Sequence, residues 1–270
     1  MKPPEELQMP AAAGTVRERA FELDALRGLA ILMMMLHHMI FDLRFMLGLD
    51  VFAFQESAWF QFLLRPLFVA VFLVVSGICC SFSRNNARRG VRMLAAAGIL
   101  TAATVAGTLL FKTQMSIYFN VIHLITVGTL LYAVLESRDK KARTKGKREF
   151  RLAFAILAAA ALLFLGSVLG EFRSIASDWL LPFGLPSVKT ANLMADYMPL
   201  IPWLGLFFTG AAIGLVLYSG RATLFPGAPR RLVQTLRPFG FLGRHALAFY
   251  LLHQPILLGL LLLLRNTGVI

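Results

Sequence analysis

The sequence predicts an all-α fold: a polytopic integral membrane bundle of about seven transmembrane helices with a cytoplasmic N-terminus. Three observations predict it. Apolar residues make up 58% of the 270 positions and charged residues only 15%, for a mean hydropathy of +0.70; a soluble domain carries about 25% charged residues. Several segments reach the roughly 20 apolar residues that a membrane-spanning helix needs. The basic residues also alternate in density from loop to loop. This composition excludes a disordered chain and an ordinary soluble globule.

Taken in order, the chain opens with residues 1–20, which hold prolines, an alanine run and mixed charge but no apolar core of a cleaved signal. They read as a flexible cytoplasmic tail before a single transmembrane domain over 21–270. The expected spans are Leu23 to Leu43, Phe60 to Phe82, Val91 to Phe111, Ile117 to Leu135, Leu152 to Leu169, Leu200 to Tyr218 and Phe239 to Leu264. The apolar stretch Trp179 to Pro186 is too short to cross and reads as an interfacial or re-entrant loop.

Loop charge tests this count. With the N-terminus inside, 20 basic residues fall on the cytoplasmic side, among them Arg84, Arg88, Arg89, Arg92 and the run from Arg138 to Arg151. Six fall outside: Arg44, Arg65, Lys112, Arg173, Lys189 and Arg265. That asymmetry is the positive-inside pattern of seven helices. The net charge of +13 is therefore loop charge facing membrane lipids, and no nucleic-acid partner is expected. Cys79 and Cys80 are adjacent, a poor geometry for a bridge, and read as packing residues.

Ionisable residues inside spans are costly and mark function. The first helix holds Asp24, Arg27, His37, His38 and Asp42. At 100° per residue, Asp24 and Asp42 share a face, and Arg27 and His38 lie about 20° apart around the axis. Arg27 sits toward the cytoplasm and His38 toward the outside, separated by roughly 16 Å. His37 points about 100° away from His38. Asp42, at i+4 from His38, is placed to orient one imidazole nitrogen and leave the other basic, the arrangement of a general base. Asn120 and His123 on the fourth helix, Asp196 and Trp203 at the sixth, and His253 on the seventh are expected near the same level. Arg244 and His245 lie at the cytoplasmic end of the seventh. No HxxxH or HExxH spacing occurs, so no metal is expected. Nor is there a GxSxG elbow or a phosphate-cradling glycine loop.

Five blocks carry a resemblance. ELDALRGLAILMMMLHHMIFDL, VVSGI, FNVIHLITVGTLL, DYMPLIPWLGLFFTGAAIG and GRHALAFYLLHQPIL are similar, in order and spacing, to bacterial membrane proteins related to heparan-α-glucosaminide N-acetyltransferase. The Arg27-x10-His38 spacing also resembles the signature of the wider transmembrane acyltransferase superfamily. The resemblance implies cytoplasmic acetyl-CoA as donor and an extracytoplasmic glycan or glycolipid as acceptor. The lysosomal enzyme of the family uses a histidine in the loop after its first helix; the stretch Asp42 to Phe60 contains none. The compact chain suggests a bacterial inner-membrane protein.

The expectation is a membrane acyltransferase, with an acetyl group moved to a hydroxyl or amine. His38, Asp42 and His123 are the expected catalytic residues. Arg27, Arg244 and His245 would hold the donor, and Asn120, Asp196, Trp203 and His253 the acceptor. A proton-coupled transporter and a non-catalytic partner in an envelope polysaccharide system are the alternatives. A homo-oligomer fits any of the three.

Overall fold

A computed structural model describes residues 19–112, 115–141, 147–193 and 196–267, and these form an all-α bundle. Most of the expected N-terminal tail and part of the basic run 140–148 lie outside the described residues. Helix α1 (Phe21–Phe41) passes into a π-helical turn, Asp42–Met46. A 3-10 turn (Ala53–Glu56) and a second π turn (Phe60–Leu64) lead into α2 (Arg65–Phe82). Helices α3 (Asn86–Phe111), α4 (Val121–Lys141) and α5 (Lys147–Val168) follow. The long loop holds two 3-10 stretches, Leu169–Ile175 and Asp178–Phe183, and the short α6 (Val188–Leu193). The chain ends with α7 (Trp203–Val216), α8 (Arg230–Thr235), α9 (Arg237–Arg244) and α10 (Ala246–Asn266).

Five of these segments are long and apolar enough to cross a membrane, and α4 and α7 supply two shorter apolar helices. The expected spans need three corrections. The fourth begins at Val121, not Ile117, because the Asn120 side chain accepts from the Ile122 amide at 3.2 Å. The carbonyls of Ile117 and Phe119 turn aside to Thr101 and the Met198 amide. The sixth begins at Trp203, since Pro202 has no amide proton and the Leu200 amide bonds the Pro182 carbonyl. The seventh is interrupted at His245 into α9 and α10.

These shortened helices position the site. Fourteen residues of α7 rise about 21 Å, short of the roughly 30 Å hydrocarbon core. Non-helical backbone therefore enters the bundle ahead of α7, and the Met198 and Leu200 amides find carbonyls on neighbouring loops. Asn120 and Asp196 ride inward on such segments. The stretch expected to be interfacial, Trp179 to Pro186, is mostly a 3-10 turn with Trp179 exposed. Nearby, Ser187 and Thr190 hydroxyls donate to Asp178 at 2.5 Å and hold its carboxyl below the usual range. A lowered carboxyl pKa stabilises this loop at neutral pH, and that contribution is lost as pH falls through the lowered value.

Helix packing relies on glycines. A Cβ on Gly28 would lie 1.8 Å from the Phe239 carbonyl oxygen, and one on Gly243 would lie 1.8 Å from that of Asp24. The α1 and α9 backbones are thus in direct contact. Gly77 and Gly210 do the same for α2 and α7. Between them Leu73, Leu124, Phe207 and Phe208 are fully buried. Arg148 of α5 donates twice to the Leu215 carbonyl at the end of α7, tying those helices together.

Topology is directly testable. A reporter fused after Asn266 should report the extracytoplasmic side and one inserted at position 145 the cytoplasm. Both reporters on one side would contradict seven spans.

Candidate active site

The α1–α9 contact sets the first half of the site. Arg27 and Arg244 each neighbour one of the crossing glycines, so the close approach brings both guanidinium groups to one cavity. That cavity, of about 530 Å³, also takes Arg88, Arg89 and Arg92 from the first turns of α3, with Ser76, Ser83 and Asn85. Among the described residues, no acidic side chain lines it. Among the described residues none of the five arginines forms an ion pair; Arg27 donates to the Cys79 sulfur at 2.7 Å and Arg89 to Cys80 at 3.8 Å. Five uncompensated cations around one space make a receptor for a polyanion.

Tyr250 also lines the cavity. Its hydroxyl donates to Asp196 Oδ2 at 2.9 Å and accepts from Asn120 Nδ2 at 2.8 Å. Asn120 is fully buried, and its other end meets His123 Nδ1 at 2.9 Å. His123 Nε2 lies 3.1 Å from the Thr101 hydroxyl, so both nitrogens of that imidazole are engaged. Asp196 adopts a left-handed backbone conformation, φ 48°, which a non-glycine residue holds only when its surroundings enforce it.

One turn along α10 from Tyr250 stands a pair of imidazoles. His253 and His38 have ring centroids 5.0 Å apart. His253 Nδ1 lies 2.7 Å from the Tyr250 carbonyl. A carbonyl only accepts, so Nδ1 carries the proton and Nε2 presents its lone pair. That Nε2 is buried and has no hydrogen-bond partner among the described residues. The His38 imidazole makes no hydrogen bond among the described residues. Asp42 is fully buried, and both of its oxygens accept from Gln254 Nε2 at 3.0 Å.

The family described as Heparan-alpha-glucosaminide N-acetyltransferase, catalytic, matches residues 19–255. The match runs from the start of α1 to Pro255 and encloses every residue just described. The chain belongs to this family. No curated protein and no solved structure matches it. Membership makes it a membrane enzyme of the acetyltransferase type, which the bundle of apolar helices houses.

Within this acetyltransferase domain the expected residues separate into groups. Arg27 and Arg244 meet at the cavity; Asn120, His123 and Asp196 join through hydrogen bonds; His38 meets His253. His38 and Asp42 do not form the expected hydrogen bond. The α-helix gives way to the π turn at Asp42, and Gln254 of α10 takes the carboxylate. The expected divergence of the two first-helix histidines is present: His37 accepts from Gln55 Nε2 at 2.8 Å while His38 faces α10. His245 does not line the cavity; it is exposed, with its ring tilted against Phe241 and bonded to the carbonyl of that residue. Trp203 opens α7 and packs against the central apolar cluster, with no bond to the polar network. Asp24 is held by Arg19 at 2.6 Å. Among the described residues no group of three or more His, Cys, Asp or Glu could hold a metal ion.

Sequence reasoning missed Tyr250, Gln254 and the three α3 arginines as site residues. Tyr250 is three positions before His253, hence on the same helical face, and that spacing was the available signal. The α3 arginines fall in a run that loop charge alone accounts for.

Proposed function

We propose that the chain transfers an acyl group, an acetyl group foremost, from acyl-CoA to a hydroxyl or amine of a glycan or glycolipid. The observation that carries this reading is the continuity of an unpaired-arginine cavity with Tyr250 and, behind it, a polar network and two imidazoles. CoA is a polyanion with a long neutral arm. The five arginines match its phosphates, and the arm would carry the thioester past Tyr250 toward Asn120 and the His38–His253 pair. Positive-inside charge supports a cytoplasmic donor side, with the acceptor approaching from the other side of a bacterial inner membrane.

Catalysis would consist of proton removal from the acceptor by an imidazole and hydrogen-bond support of the developing charge. Asp42, both of whose oxygens accept from Gln254, stands one helical turn beyond His38. Purified protein given acetyl-CoA with glucosamine or a membrane glycolipid extract should release CoA and label the acceptor. Labelling without CoA, or no CoA release with any acceptor, would contradict the proposal. Arg27→Ala should raise the donor KM about tenfold or more, because a hydrogen bond to a charged group contributes about 1.5–3 kcal/mol. Its kcat should change little, since phosphate binding is equal in ground and transition states.

A further inference from the structure

We propose that His253 is the base that takes the acceptor's proton, fixed in that role by the Tyr250 carbonyl. The inference rests on the acyl-CoA reading and names the residue that performs its central step.

Three imidazoles lie near one another, and their surroundings differ. His37 Nδ1 is occupied by Gln55, whose amide also donates to the His37 carbonyl at 3.1 Å. His38 has no hydrogen bond among the described residues to select a tautomer. His253 alone combines a proton fixed on Nδ1 with a free Nε2 lone pair, and it is only 7% exposed. A buried polar atom without a partner is costly, and in a native fold it needs an explanation. A substrate proton would supply that partner during turnover.

The location fits the chemistry. His253 is one helical turn from Tyr250, which lines the arginine cavity, and the two rings are 5.8 Å apart. It faces His38 across 5.0 Å. In the step, Nε2 accepts the proton of the acceptor's O–H or N–H as that oxygen or nitrogen bonds to the thioester carbonyl carbon. The C–S bond then breaks, and its electron pair leaves with sulfur. The imidazolium returns the proton from Nε2 to the thiolate, so free CoA departs and the neutral base is restored. Throughout, Nδ1–H stays on the Tyr250 carbonyl, and that bond strengthens while the ring is charged. His38, whose imidazole has no hydrogen bond among the described residues, stands beside the base and would hydrogen-bond the acceptor there.

The test compares His253→Ala, His253→Asn and His38→Ala for CoA release from acetyl-CoA with glucosamine as acceptor, each with and without added imidazole. Asparagine keeps a donor for the Tyr250 carbonyl but has no basic nitrogen, so His253→Asn separates folding from proton transfer. Both His253 variants should bind CoA as the parent does and lose turnover by at least about a hundredfold, the lower range of general-base catalysis. Imidazole should restore His253→Ala and leave His38→Ala unchanged. Near-parental turnover of His253→Asn, or rescue of His38→Ala in place of His253→Ala, would overturn the assignment. A parent protein that releases no CoA would instead overturn the acyl-CoA reading itself.

Discussion

Gly243→Val is expected to abolish CoA binding and to lower the melting temperature of the purified protein. A Cβ at this position would meet the Asp24 carbonyl oxygen at 1.8 Å, its carbon at 2.8 Å and the Gly28 amide nitrogen at 3.0 Å. All three are backbone atoms, so no rotamer change relieves the contact, and α9 must move away from α1. Overpacking of this kind costs about 1–3 kcal/mol or more. The functional effect should exceed the stability effect, because Arg27 and Arg244 flank the crossing and would separate with the helices. Gly259→Ala in α10, where a Cβ meets nothing within 4 Å, is the control and should leave both readouts unchanged. Thermal melts and CoA titration of the two variants make the comparison.

Arg27→Glu is expected to weaken CoA binding by at least about a hundredfold while the fold survives. The side chain has a neutral sulfur as its partner, so reversal breaks no ion pair within the protein. What changes is the field in the cavity. Two unit charges about 4 Å apart interact by about 4 kcal/mol at an effective dielectric of 20, and each 1.4 kcal/mol is tenfold in affinity. The loss should shrink as ionic strength rises, since salt screens both the lost attraction and the new repulsion. Affinity unchanged at low salt would mean that the phosphates lie elsewhere.

The bundle was legible because hydropathy and loop charge report the membrane directly. The stripe on α1 was legible because helical geometry is periodic, and Arg27, His37 and His38 face as 100° per residue requires. The reading failed where the backbone departs from that period. Asp42 begins a π turn, and its carboxylate goes to Gln254, 212 residues away, a pairing that no local spacing encodes. Helix ends were misjudged at Ile117 and Leu200, where Asn120, Pro199 and Pro202 favour loops that dip inward. The Tyr250–Asn120–Asp196 contacts depend on that dip. The α3 arginines were counted as topology signals, and they are also the wall of a cavity; one charge can serve both ends, and sequence alone does not separate them.

On the proposed reading, one internal path joins the donor's phosphates at the arginine cavity to its thioester near Tyr250 and the paired imidazoles. A structure of the purified protein determined with bound CoA tests it most directly. The nucleotide phosphates should lie among Arg27, Arg244 and the α3 arginines, with the arm running inward and its sulfur beside Tyr250 on the side of His253. CoA bound with its sulfur at the arginine end, or seated outside this cavity altogether, would contradict it.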